Sequence, residues 1–261
     1  MAKISPPIAP WRSVFLTHIG CMDSPLLSLS TVHLIETLGE PRVVPRCRTV
    51  VFRGMWAGMS VHPNNTAELN PCLYESDLLT ITIDTRMEKT PDFFRSTAND
   101  KPHSGGGGLV EAVFWAPEAR TQWRIRGRAY MIGPNIDSNV ASPIRNIIGR
   151  YMRRTGEGDW SWSRELTAHF GNLSPGMRGS FRNPPPGTPR SRDPGAGLGL
   201  GQKVDDLQDE FARRYFRVVI IVPEEVDQLD LKDPSEARRW NYKFDGSISE
   251  AASWKTTELW P

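Results

Sequence analysis

The sequence predicts an α+β fold that is mainly β, a barrel with helices at its periphery. Three stretches carry that prediction. In 121–133, Gln122, Arg124, Arg126 and Arg128 alternate with Trp123, Ile125 and Ala129, so a long strand has one polar and one apolar face. The runs 78–83 and 216–222 are short, apolar and rich in Ile, Val and Thr, as strands are. The third stretch, 46–54, places Thr49, Val50, Val51 and Phe52 between Arg46, Arg48 and Arg53, with Pro45 before it and Gly54 closing it.

The other elements follow in order. Pro10 suits the first turn of a helix over 10–19, where Trp11, Val14, Phe15 and His18 recur at helical spacing. A strand over 29–35 and a turn at 38–41 lead into 46–54 and complete a hairpin. A polar loop spans 61–74, and Pro91 starts a short helix over 90–95. The run Gly105–Gly108 precedes the strand 110–115 and lacks the Lys-Ser/Thr ending of a phosphate loop, so it reads as a flexible connector. Helices are expected over 142–153, with Ile144, Ile147, Ile148 and Tyr151 as the apolar stripe, over 160–170, over 207–214 and over 234–242. The Pro- and Gly-rich stretch 183–203 is expected to be a mobile loop within a single domain, 1–261. Gly195, Gly197 and Gly199 imitate a dinucleotide loop, but no strand precedes them.

Composition narrows the chemistry. Thirty-two basic residues (25 Arg, 7 Lys) offset 30 acidic ones, a balance that gives no overall field for a polyanion and disfavours a nucleic-acid partner. The excess of Arg reads first as codon bias and second as several planar anion contacts. No apolar run is long enough to cross a membrane, and residues 1–7 lack the apolar core of a signal peptide. With only Cys21, Cys47 and Cys72, a reducing, cytoplasmic setting is expected. Zinc spacing, a Gly-x-Ser-x-Gly elbow, a Walker loop and kinase motifs are all missing from the sequence, so no metal site is expected. The arginines of 46–54 leave two readings open: a strand lining an anion site, or an edge strand whose arginines face water.

Five segments in series resemble the pyridoxamine 5′-phosphate oxidase-like FMN-binding proteins, which have a split β-barrel. Arg48-Thr49-Val50-Val51-Phe52-Arg53 is similar to that family's Arg-x-Val-Leu-Leu-Lys flavin strand. The stretch 82–89 resembles its phosphate-binding strand and turn, and Gln122-Trp123-Arg124-Ile125-Arg126-Gly127 its Arg-Gln-Val-x-x-x-Gly strand. Phe216-Arg217-Val218 and 254–261 resemble its terminal Phe-Arg-Val and Trp-x-x-x-x-Leu-x-Pro. The segment Asn172-Leu173-Ser174-Pro175-Gly176-Met177-Arg178 looks most like the mainly fungal and cyanobacterial branch.

The resemblance implies an FMN cofactor and a homodimer with the flavin between subunits. It implies phosphate contacts from Arg48, Arg86 and Lys89, with Ser174 as a hydroxyl donor. Lys89 falls on the family Lys, whereas Glu88 occupies the place of the family Arg and Arg86 is displaced from it. Thr49, Val50, Val51 and Thr82 lie on the flavin-binding strands. Gln122 would bond the isoalloxazine edge, and Arg53 and Arg239 would stabilise charge on the reduced ring. The substrate-clamping Arg-x-His of the family falls near Ser235-Glu236-Ala237, and its flavin-flanking Trp falls at Leu229. FMN binding without pyridoxamine 5′-phosphate oxidation is therefore expected, as an FMN-dependent oxidoreductase on another small substrate. The alternative is a non-catalytic flavin- or haem-binding barrel.

Overall fold

A computed structural model describes residues 5–37, 39–94, 103–246 and 252–261. The first half contains α1 (Arg12–Gly20), β1 (Leu26–Thr37), β2 (Glu40–Met55), β3 (Tyr74–Ser76), β4 (Leu79–Asp84), β5 (Gly105–Ala116) and β6 (Thr121–Ile132). After it come α2 (Ser142–Gly149), β7 (Met152–Arg154), α3 (Trp162–Gly171), α4 (Pro175–Gly179), α5 (Glu210–Tyr215), β8 (Phe216–Asp230), β9 (Arg238–Asp245) and β10 (Ser253–Leu259). The main sheet runs β10-β9-β8-β4-β2-β1-β5-β6, and β6 returns to pair with β8, which closes six of these strands into a barrel.

Strand β8 explains why 216–222 is continuously apolar. Val219 and Ile221 face the barrel interior with Ile81, Phe114, Trp123 and Ile125, whereas Val218, Ile220 and Val222 pack outward against Ile144, Ile148, Leu166 and Phe170 of the helices. Both faces are buried, so alternation disappears. The strand runs to Asp230, beyond the expected end, and changes partner on the way: residues 216–221 pair with β4 and 225–230 with β9, while β6 follows it along its length. The register slips opposite Pro223, where the missing N–H makes a bulge natural and the sheet divides. Helix α1 plugs the barrel with Phe15, whose ring meets those of Phe114 (5.1 Å), Trp123 (5.5 Å) and Phe52 (5.9 Å) edge-on.

Four expectations are corrected. Strand β2 begins at Glu40, ahead of both Pro41 and Pro45, because its first half pairs with β1 alone and its other edge has no ladder for proline to break. The 142–153 helix stops at Gly149; Arg153 turns instead into β7, where it pairs with Glu75 and Asp77. Most of 234–242 is not helical: Arg238 to Asp245 form β9, held between β8 and β10. The glycine run belongs to β5, where a Cβ on Gly108 would stand 2.2 Å from the Asp92 carbonyl, so glycine lets the 3-10 turn Pro91–Phe94 lie against the strand. Residues 98–102, shortly before this run, lie outside the described residues.

Candidate functional site

A cavity of about 870 Å³ lies on the outer face of β2 and β4. Strand alternation sends Leu79, Ile81 and Ile83 into the barrel, leaving Thr82 outside beside Arg53 of β2. Arg53 Nε donates to Thr82 Oγ1 at 3.3 Å, and its Nη2 reaches Met177 Sδ at 3.8 Å. Burial lowers the Arg53 pKa, and among the described residues no carboxylate pairs with it. This is a half-buried guanidinium whose charge no described residue balances. Behind it, His169 is fully buried and stacks on Trp56 at 5.5 Å. Burial, reinforced by the Arg53 charge, drives the His169 pKa down to about 3, so the imidazole is neutral.

The opposite wall comes from 173–200. Ser174 caps α4 by accepting from Met177 N at 3.3 Å, and Met177, Ser180 and Phe181 face the cavity. Arg86 fastens this wall to the barrel. Its Nη2 is 2.6 Å from Asp84 Oδ2 and 2.9 Å from the Phe181 carbonyl; its Nη1 donates to the Asn183 carbonyl at 2.9 Å, and its guanidinium covers the Tyr215 ring. Arg178, also buried, donates to the carbonyls of Gly171, Leu173 and Val204. Arg86, named from the sequence as a phosphate ligand, is thus occupied in positioning the wall.

Lys89 does not itself line the cavity, but its Nζ lies 2.7 Å from Met87 Sδ, a cavity-lining thioether. Burial first, and then the neighbouring Arg48, push its pKa down to about 8 against the pull of Asp84 and Asp92. Arg48 is tied down more fully. Its Nη1 donates to Thr31 Oγ1 at 2.7 Å and to the Leu29 carbonyl at 3.3 Å, and Nη2 is 3.7 Å from the buried Asp92. Asp92 also binds Thr31 and His33, at 2.5 Å each. Arg48 and Arg53 lie on opposite faces of β2, because the only slip toward β4 falls between Phe52 and Met55, with Gly54 at φ 101°. Thr49 is exposed on β2, and Val50 and Val51 are half-buried.

Gln122 and Arg239 are elsewhere. Both sit opposite Leu229, one on each side of β8, so the three share a cross-strand row on the outer face of the sheet. Arg239 Nε is 2.9 Å from Asp227 Oδ2, which Arg124 also approaches. Neither Gln122 nor Arg239 lines the cavity. The structure therefore gathers Arg53 and Thr82 at the cavity, sets Lys89 outside its lining against Met87, holds Arg48 on the opposite face of β2, and leaves Gln122 and Arg239 apart. Sequence reasoning missed the cavity wall, including Met177, Arg190 and Arg192; its signal was the density of proline in 184–194, which restricts the backbone and which the expectation of a mobile loop over 183–203 passes over. Among the described residues no cluster has the composition of a metal site.

Comparison with known proteins bears on this arrangement. Residues 8–133 match the family described as pyridoxamine 5′-phosphate oxidase, FMN-binding domain. The chain is 23% identical over 313 aligned positions to YGR017W, an uncharacterized protein of Saccharomyces cerevisiae, across 97% of this chain and 99% of that one. The crystal structure of a pyridoxamine 5′-phosphate oxidase-related, FMN binding protein from Nostoc punctiforme superposes with a TM-score of 0.55 at 19% identity, over 97% of this chain and 98% of that one. The shared architecture is the split barrel.

Proposed function

Because residues 8–133 match the pyridoxamine 5′-phosphate oxidase FMN-binding domain, we propose that this chain is a member of that family of FMN-binding split barrels and an FMN-dependent oxidoreductase acting on a small molecule other than pyridoxamine 5′-phosphate. Arg53 is the observation that carries this reading: a half-buried cation without an acidic partner among the described residues, facing a cavity large enough for a cofactor. The residues fit FMN. Lys89 and Arg48 supply cations for the phosphate, and among the described residues the ammonium of Lys89 is bonded only to a thioether. The backbone of Thr49, Val50 and Val51 runs along the flavin; Thr82 and Arg53 meet the ring end, where the guanidinium stabilises negative charge. Ser174 offers its hydroxyl proton, its oxygen already accepting from Met177. Arg86 acts by holding the 181–183 carbonyls. FMN, when bound, supplies the hydride and electron chemistry.

Gln122 and Arg239 enter through a second copy. Their row is separate from the cavity within one chain, and a homodimer brings that row onto the partner's flavin. The region of the family's Arg-x-His is a tight turn in which Ser235 N and Oγ both bond Asp233, with no cation or imidazole to clamp a phosphorylated substrate. The exposed, unpaired Cys21, Cys47 and Cys72 suit a cytoplasmic location.

Reduction of the FMN-loaded protein tests this reading. NADPH or NADH is expected to bleach the flavin band and air to restore it, while pyridoxamine 5′-phosphate leaves it unchanged and gives no hydrogen peroxide at an enzyme-like rate. A band that only dithionite bleaches selects a flavin carrier without catalysis. Bleaching and peroxide with pyridoxamine 5′-phosphate would overturn the substrate exclusion.

Lys89 makes the affinity depend on pH. The FMN phosphate is a dianion above about pH 6, so the lysine is the group that changes as pH rises through about 8. FMN affinity is expected to fall over that interval, and Lys89→Met to weaken binding and flatten the profile in fluorescence titrations. Stability of the cofactor-free protein moves the other way. The folded pKa of about 8 lies below the ordinary 10.5, so the buried charge penalises the fold below pH 8, and that penalty fades as pH climbs toward 10.5. Lys89→Met should therefore raise the cofactor-free thermal midpoint near neutral pH.

A further inference from the structure

The cavity rim carries two more arginines that FMN binding leaves unexplained. Arg190 and Arg192 line the same cavity as Arg53. Both come from one turn, closed by the hydrogen bond from Arg192 N to the Pro189 carbonyl at 3.0 Å. The preceding turn, 185–188, carries proline at its second position and Gly187 at φ 82° at its third, the pattern of a type II turn, and is closed by Thr188 N to the Pro185 carbonyl at 3.3 Å. Pro194 follows, and Arg86 anchors the start of the segment through the Asn183 carbonyl. The backbone holding the two guanidiniums is thus pre-set, which lowers the entropy cost of using them.

Their charges are unmatched. Among the described residues neither side chain has a carboxylate or carbonyl partner. Two acids border the cavity. Asp84 is engaged by Arg86, and Asp193 accepts from Gly195 N at 2.8 Å. With the cofactor phosphate assigned to Lys89, which lies against the cavity-lining Met87, the rim keeps two planar, bidentate-capable cations facing the space that remains.

We infer that Arg190 and Arg192 form a second anion subsite, which selects substrates bearing a carboxylate or phosphate and orients them over the flavin. This rests on the flavin reading above. The turn supplies recognition that the Ser235-Glu236-Ala237 region lacks, from a segment more than 40 residues earlier in the chain.

The test uses FMN-loaded protein titrated with inorganic phosphate at constant ionic strength, with the flavin absorbance band as readout. Wild type is expected to respond saturably, and Arg190→Gln/Arg192→Gln to need about tenfold more phosphate or more, as loss of two charge-assisted contacts implies. FMN affinity should stay within about twofold in the same variant, since neither side chain is given to the cofactor. The thermal midpoint should be unchanged, because neither side chain holds the turn. An equal phosphate response in variant and wild type, or none in wild type, overturns the subsite. A parallel loss of FMN affinity also overturns it, by giving the arginines to the cofactor. Wild type that takes up no FMN would instead overturn the flavin reading, and the subsite with it.

Discussion

Replacing Arg53 by methionine is expected to weaken FMN binding by about 30-fold or more, because truncating one member of a desolvated charge pair costs about 2 kcal/mol at the least. The same change should raise the thermal midpoint of the cofactor-free protein. Burial disfavours the guanidinium, no acid compensates it, and methionine matches its apolar stem against Met177. The two effects have opposite sign, which separates a ligand-holding cation from a structural one. A structural Arg53 would lose stability on truncation and leave FMN affinity alone. Fluorescence titration and thermal denaturation of the two proteins give both readings.

The largest expected loss of stability lies far from the cavity, at Asp77. Both carboxylate oxygens receive Arg153, at 2.7 Å each, and Oδ2 also accepts from Ala9 N at 2.9 Å. Arg12 Nε stands 2.9 Å from Oδ1 as an ion pair without hydrogen-bond alignment. Burial opposes the charge on Arg153, yet its bonds to Asp77 and Glu75 raise its pKa overall. Asp77→Ala leaves that guanidinium buried without its main partner and frees the chain ahead of α1, so unfolding free energy should drop by about 3–5 kcal/mol. Urea denaturation measures it; a loss below about 1 kcal/mol would contradict this account of the N-terminal segment.

These two residues also mark what the sequence makes legible. The barrel is readable where one strand carries its own code. Trp123 and Ile125 point inward from β6 as their alternation requires, and Arg48 and Arg53 diverge as strict period two demands. Asp77 carries no such code, since its partners are fixed only when β3 and β7 meet. The same limit hid β9. Pro234 and the polar run after it look like a helix start, but β8 and β10 on either side outweigh local preference.

The site was legible in part for a related reason. Arg53 and Thr82 are neighbours because β2 and β4 pair, and the motif order carries that pairing. The competition for Arg48 is not in the motif: Asp92 lies 44 residues away and is brought to it by a 3-10 turn against glycines of β5. The charge of Arg86 is visible in sequence and points to phosphate, whereas its carbonyl acceptors at Phe181 and Asn183 lie 95 and 97 residues downstream. The wall they form was visible only as a proline-rich stretch, without the contacts that place it over the cavity.

Titration of the cofactor-free protein with FMN, followed by flavin fluorescence, tests the central claim most directly. Saturable quenching at one FMN per chain is expected, weakened about 30-fold or more by Arg53→Met through truncation of a desolvated charge pair. Absence of saturable binding, or binding that Arg53→Met leaves unchanged, would contradict it.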